Sequence, residues 1–262
     1  MQPRQVNTIE DARQILKDRD LSHVKVGVID LDGIVRGKYM SRDKFFSALE
    51  SGFKLCEVIF GWDSSDQLYP NAQFTGWHTA FPDAVVHIDP TTCRSVPEEG
   101  NMVFFLADFE GRAAELCPRT LLKKVISRAD ALEFKATVAA EFEFFVFDET
   151  SDSVRKKGYR NLETLSPGSF GYSTLRSSVH SEIYHDLMRL GAEMDVPLEG
   201  LHTETGPGVL EAAIEHTDAL TAADRAIVFK TFSKIMAQRR GKMLTFMAKW
   251  SNNVPGQNEI AS

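Results

Sequence analysis

The chain has 262 residues, 43% of them hydrophobic, and its 37 acidic residues against 30 basic ones give a net charge of −7. That is enough length and apolar content for one large domain or two modest ones, and it excludes a chain disordered over most of its length. The acidic balance argues against nucleic acid as a partner, since no basic excess exists to neutralise phosphates. No apolar run approaches the ~20 residues of a membrane helix, which argues against a membrane partner.

Taken in order, Met1–Gln5 is polar and lacks the apolar core of a signal peptide. Residues Ile9–Lys17 have helical apolar spacing. Val24–Ile29 and Ile34–Tyr39 read as strands joined by the turn Asp30-Leu31-Asp32-Gly33. Ser41 is the expected N-cap of a helix through Leu49. Glu57–Gly61, Ala84–Ile88 and Val103–Asp108 read as further strands, closing a unit near residue 112. Cys117-Pro118-Arg119 opens a helix over Thr120–Leu132. Val138–Phe147 is a Phe- and Val-rich strand, and Ser151–Ser169 a polar loop. Then come a helix over Ser178–Met194, strands at Leu198–Thr205 and Val209–Ile214, a long helix Ala219–Arg240, and a last strand Met243–Trp250.

Within the strand, Glu141 and Glu143 share one face, and Phe142, Phe144 and Val146 share the other. Paired acids in so apolar a strand are costly unless a cation compensates them or that face is wet. In Glu204-Thr205-Gly206-Pro207-Gly208-Val209-Leu210-Glu211, Pro207-Gly208 fits the centre of a two-residue turn. A symmetric hairpin then sets Glu204 opposite Glu211, which is destabilising without a cation; a wider loop would splay both acids into solvent. These glutamates, without a cysteine cluster, are hard oxygen ligands suited to Mg²⁺ or Mn²⁺. No P-loop is present, so the residues alone point to carboxylate–metal phosphoryl chemistry.

Several other residues carry weaker signals. His202 shares its strand face with Glu204 and is read as either a neighbour of phosphate or a structural residue. The three tryptophans, Trp62, Trp77 and Trp250, read as core residues. The basic run Arg239-Arg240-Gly241-Lys242 reads as a solvated helix end. Cys56, Cys93 and Cys117 form no CxxC pair and suit reduced thiols in a cytoplasmic protein.

The segments Gly61-Trp62-Asp63-Ser64-Ser65, Glu141-Phe142-Glu143, His202-Thr203-Glu204-Thr205-Gly206-Pro207-Gly208 with Glu211, and Phe246-Met247-Ala248-Lys249-Trp250 resemble, in this order, motifs of the glutamine synthetase family. The resemblance implies an α+β fold. It places an N-terminal β-grasp domain over residues 1–112 and the first part of an antiparallel barrel-like catalytic domain over residues 113–262. It implies a ring-shaped homo-oligomer with active sites shared between subunits. The implied cofactors are ATP and Mg²⁺ or Mn²⁺; the implied substrates are glutamate and ammonium or an organic amine, joined through γ-glutamyl phosphate. By position, Glu143, Glu204 and Glu211 match ligands of one metal and Glu141 a ligand of the other. Glu199 matches a nucleotide-side residue, Asp63 the carboxylate that binds and deprotonates the amine, and Tyr172 an aromatic beside the amine.

Departures from the pattern qualify this. Val209 stands where the family has Gln. The sequence ends at Ser262, before the family's Gly-His segment and its later arginines, so the chain alone is expected to be inactive as a ligase. The alternative is a non-catalytic relative that folds, oligomerises or binds nucleotide. The loop Asp63-Ser64-Ser65-Asp66 carries a second acid. If Asp66 faces the amine, an organic amine such as a polyamine or ethanolamine-like compound is favoured; otherwise Asp66 turns to solvent.

Overall fold

The computed structural model describes residues 1–257 and the backbone of residues 259–261. Contacts divide the chain into two compact units, residues 1–135 and 136–262.

In the first unit, helix α1 (Ile9–Asp18) starts at a reciprocal cap. The Thr8 hydroxyl accepts the Asp11 N–H, and the Asp11 carboxylate accepts the Thr8 N–H. Strands β1 (His23–Ile29) and β2 (Val35–Ser41) form the expected hairpin, with Gly33 at a φ of 71° in its turn. Ser41 caps α2 (Arg42–Ser51), which Gly52 ends at a φ of 73°. Strand β3 (Phe53–Cys56) was not anticipated, and Glu57–Gly61 is not a strand: Glu57–Phe60 forms one 3₁₀ turn. The short apolar run Val58-Ile59-Phe60 carries no period that separates the two states, and burial of Ile59 and Phe60 is satisfied by either.

Strands β4 (Asp83–Ile88), β5 (Arg94–Ser95) and β6 (Val103–Phe109) complete a sheet of order β2-β1-β6-β4-β3, with β5 on β6. The β1–β6 pair is parallel and the other pairs antiparallel. Helix α3 (Pro118–Asp130) opens on Pro118. Its Arg119, 3% exposed at the side chain, donates to Asp89 and Asp108 at 2.8 and 2.6 Å. By contacts, α3 groups with the first unit, whose limit falls after Lys135. Trp77, expected in a core, is 84% exposed and lies edge-on to Phe81.

The second unit contains β7 (Thr137–Val138), β8 (Ala140–Phe147), α4 (Ser151–Lys156), α5 (Thr174–Val179), α6 (Ser181–Glu193), β9 (Leu198–Thr203), β10 (Val209–Ile214), β11 (Thr217–Asp218), α7 (Ala219–Arg239), β12 (Met243–Thr245) and β13 (Glu259–Ala261). Its main sheet runs β12-β8-β10-β9, all antiparallel, with β13 also on β8. Phe142, Phe144 and Val146 are fully buried on one face of β8, where Phe142 and Phe144 meet Phe229 of α7 and Phe246. Each such side chain contributes about 1.5–3 kcal/mol of burial energy, which fixes which face of β8 the glutamates must take.

Three expectations are corrected here. The polar loop from Ser151 contains α4, capped by Thr150 through the Ser153 N–H. The helix expected over Ser178–Met194 is two helices broken at His180. The last strand stops at Thr245. No helix among the described residues is long and apolar enough to cross a membrane.

Candidate carboxylate site

Burial of the Phe face turns Glu141 and Glu143 to the opposite side of β8, where both are half-buried. Across the sheet, Glu143 pairs with Glu211 of β10, and Glu211 pairs with His202 of β9. Glu143, Glu211 and His202 therefore form one row over three strands. The next row is Glu141, Ala213 and Gly200, whose two small residues leave that face open.

The hairpin turn forms at Gly206–Val209 as the sequence indicates, with the Val209 N–H donating to the Gly206 carbonyl and Gly208 at a φ of 68°. The pairing beyond it is shifted. Thr203, not Thr205, faces Leu210, and Glu204 bonds to Val209 through its own N–H. Glu204 and Glu211 are thus not directly opposed. The like-charge pair across the ladder is Glu143 with Glu211. A shift of two residues preserves the face, so Glu204 still lies on the side of His202. The extra residues are held by Gln257, whose amide donates to the Thr205 carbonyl at 2.8 Å.

His202 links the acids. Its Nδ1 is 3.9 Å from Glu204 Oε2 and its Nε2 is 3.7 Å from Glu211 Oε1. Single ligand atoms of His202, Glu204 and Glu211 all lie within 4.8 Å of one another. Burial pushes the Glu211 carboxyl above its ordinary range; His202 opposes this, while Glu143, Glu141 and Glu204 add to it. Tyr172 stacks on the His202 ring with centroids 4.3 Å apart. Its loop is fastened to β9: the Tyr172 N–H donates to the Thr203 carbonyl, the Ser173 N–H donates to the Thr203 hydroxyl, and that hydroxyl donates to the Phe170 carbonyl. The side chain of Tyr172 is 73% exposed, so its other face is open.

Of the residues singled out in sequence, Glu204, Glu211 and Tyr172 lie against His202, while Glu143 and Glu141 share that face of the sheet on β8, beyond β10. Glu199 stands apart: it is the extra residue of a β-bulge on the edge strand β9, where Ala213 pairs with Gly200 and Ile214 with Leu198, and it is exposed. Asp63 lies in the first unit. Its Oδ1 accepts the N–H groups of Ser65 and Gln67 at 2.8 and 2.9 Å, which shapes the loop around it.

Asp66 neither turns free to solvent nor offers an unpaired carboxylate. Arg36 donates to it at 2.6 Å while donating to buried Asp30 at 2.7 Å, and the guanidinium lies over Trp62. No spacing signal links Arg36 to that loop, because the contact spans 30 residues. The thread through Thr203 was likewise illegible in sequence. The basic run is a salt-bridged helix end: Arg240 binds Asp186, and Lys242 binds Asp148.

One face of the sheet thus collects four glutamates and one imidazole above a phenylalanine core, a donor set of hard oxygens with one nitrogen. The particular family follows from comparison. The family model "Glutamine synthetase, catalytic domain" matches residues 115–258, just over half of the chain, and the chain belongs to that family. Type-1 glutamine synthetase 2 of Dictyostelium discoideum is 48% identical over 236 residues, covering 89% of this chain and 45% of that protein. Glutamate–isopropylamine ligase of a Pseudomonas species is 33% identical over 258 residues, covering 93% and 56%. The chain spans about half the length of the curated relatives it matches. Among solved structures, apo GmaS without ligand superposes with a TM-score of 0.78 at 20% identity, covering 95% of this chain and 55% of that one, a likeness of fold.

Proposed function

We propose that this chain carries the carboxylate side of an ATP-dependent ligase that joins glutamate to ammonium or an organic amine through γ-glutamyl phosphate. The observation that carries the reading is the row Glu143–Glu211–His202 flanked by Glu141 and Glu204. Opposed carboxylates on a sheet repel, and one imidazole offsets them incompletely. A divalent cation fits this donor set, hard oxygens with one nitrogen. When bound, Mg²⁺ or Mn²⁺ would neutralise phosphate charge during transfer from ATP.

Glu143, Glu204 and Glu211 would hold one ion, and Glu141 would face a second. Tyr172 would border the amine site, with its ring held flat by His202. Asp63 would bind and deprotonate the amine, and Glu199, outside the cluster, would serve the nucleotide side. In this reading residues 1–112 form the family's β-grasp domain and residues 113–262 the opening part of its barrel. Assembly is a homo-oligomeric ring with shared sites, in the cytoplasm.

The isopropylamine-ligase relative favours an amine substrate. The Arg36 clamp on Asp66 removes the case for a second free carboxylate and with it the preference for a doubly charged amine. The alternative is a non-catalytic member of the family that folds, oligomerises or binds nucleotide.

The test is Mn²⁺ titration by calorimetry, with phosphate release from ATP measured in parallel. Wild type is expected to bind Mn²⁺, and Glu143→Gln with Glu211→Gln to lose binding. Unaltered affinity in that double variant would overturn the site. Glutamate- and amine-dependent phosphate release by the 262-residue chain, abolished in Glu143→Ala, would establish the ligase over the non-catalytic reading.

A further inference from the structure

The sheet of the first unit has two free ends, β2 and β3, and α2 connects them. Curling brings these ends together: Lys38 of β2 donates its Nζ to the Lys54 carbonyl of β3 at 3.1 Å. Between them lies a cleft of about 540 Å³, within the usual size of small-ligand sites. Each flanking strand has one unpaired edge, which presents backbone N–H groups to the seam.

The charge in this cleft is one-sided. Lys38, Lys44 and Lys54 line it, together with the hydroxyls of Ser41 and Ser51, and none of its lining residues is acidic. Among the described residues no carboxylate pairs with any of these three lysines. Several other cations of the same unit are matched: Arg13 with Glu50, Lys25 with Glu99, Arg36 with Asp30 and Asp66, Arg119 with Asp89 and Asp108. Tyr39 of the lining donates its hydroxyl to Glu99, which Lys25 also holds. These three lysines line one concave surface of a protein with net charge −7, against the general field of the molecule. Lys38 also rests over the Phe53 ring, 5.3 Å from its centroid, which holds its stem along the cleft wall. Gly52, at a φ of 73°, packs closely on β4, since a Cβ there would come within 2.8 Å of the Val86 carbonyl oxygen.

We propose that this seam binds a small polyanion carrying at least two negatively charged groups, phosphate or carboxylate. The site is separate in composition from the carboxylate cluster and does not depend on the ligase reading. A ligand there bridges the two free edges of the sheet, so occupancy stabilises the first unit.

The experiment is calorimetric titration of the whole chain with pyrophosphate and with citrate, in buffer containing a chelator so that no metal recruits either anion to the glutamates. Amide shifts of the labelled chain locate the site. Saturable binding is expected, with shifts confined to residues 38–44 and 51–54. Lys44→Gln and Lys54→Gln are expected to weaken it by about 1.5- to fivefold each, the range for exposed charge pairs. Lys44→Arg should restore binding, and Glu211→Gln should leave it unchanged. Lys44 is exposed on α2, so its variants are expected to fold, and the thermal transition checks this. Pyrophosphate binding alone identifies a phosphate ligand, and citrate binding alone a carboxylate ligand. Failure of both anions to saturate at millimolar concentration overturns the proposal. So do shifts elsewhere, or full affinity in the Lys44→Gln/Lys54→Gln double variant.

Discussion

The two sheets treat acids in opposite ways. In the first unit two groups of aspartates share a cation: Arg36 lies between Asp30 and Asp66, and Arg119 with Lys123 between Asp89 and Asp108, while half-buried Asp63 is held by backbone N–H groups. In the second, Glu141, Glu143, Glu204 and Glu211 face each other with one imidazole among them. The contrast extends to protonation. Burial alone would raise Asp89, but the Thr91 hydroxyl, Arg119 and Lys123 outweigh it and hold the carboxyl below its usual range. Burial and like charges push Glu211 the other way. Acids paired with cations hold a fold together, whereas like charges gathered on one face raise one another's proton affinity.

The largest test of that contrast is Arg119→Ala. Removing one partner of a buried charge network strands Asp89 and Asp108, and should lower stability by about 3–5 kcal/mol in denaturant unfolding. A loss near zero would mean that the matched network holds nothing.

Next comes metal. Mn²⁺ at about a hundredfold over its dissociation constant should stabilise the wild type by about 2.7 kcal/mol, raising the unfolding midpoint. Glu211→Gln should show little of that gain. An equal gain in both would place the ion elsewhere.

Smaller still is the pH effect. Glu211 has a folded pKa above its ordinary 4.5, so the folded state holds its proton more tightly than the unfolded chain. Metal-free stability should therefore fall as pH rises through the window above 4.5, and Glu211→Gln should flatten that slope. Asp89 contributes with the opposite sign: its stabilisation is present above about 3.8 and is lost as pH falls through its depressed value. Unfolding midpoints of wild type and Glu211→Gln across this range separate the two; identical profiles would remove Glu211 from the account.

The smallest effect expected is from Asp66→Asn. Its carboxylate is the exposed end of the Arg36 clamp, so stability should change by at most about 1 kcal/mol. Fluorescence of Trp62, beneath the guanidinium, should still report the looser clamp.

Much of this was legible in the sequence because periodicity reports burial. Alternation in Glu141–Phe147 fixed which residues face the Phe229 side, and Pro207-Gly208 fixed the turn. The pairing beyond the turn was not legible. Nothing local shows that Gln257, 52 residues on, holds the Thr205 carbonyl and keeps Glu204 and Thr205 out of the ladder. Arg36 reaching Asp66 and Arg119 reaching Asp89 escaped for the same reason, since pattern within one element carries no information about partners far along the chain. Where the reading failed on local structure, at Glu57–Phe60 and at Trp77, short apolar runs and lone aromatics left the state open.

The looped-out pair at Glu204 and Thr205 sets a rule for length change in this hairpin. Because side chains alternate, gaining or losing two residues between Thr203 and Val209 returns every later side chain to its original side. A single-residue insertion or deletion propagated into β9 would turn His202 into the Phe core and a neighbouring apolar residue out among the glutamates. Sequences descended from a common hairpin here should differ in length by even steps, and any odd step should be accompanied by a bulge such as the one already present at Glu199.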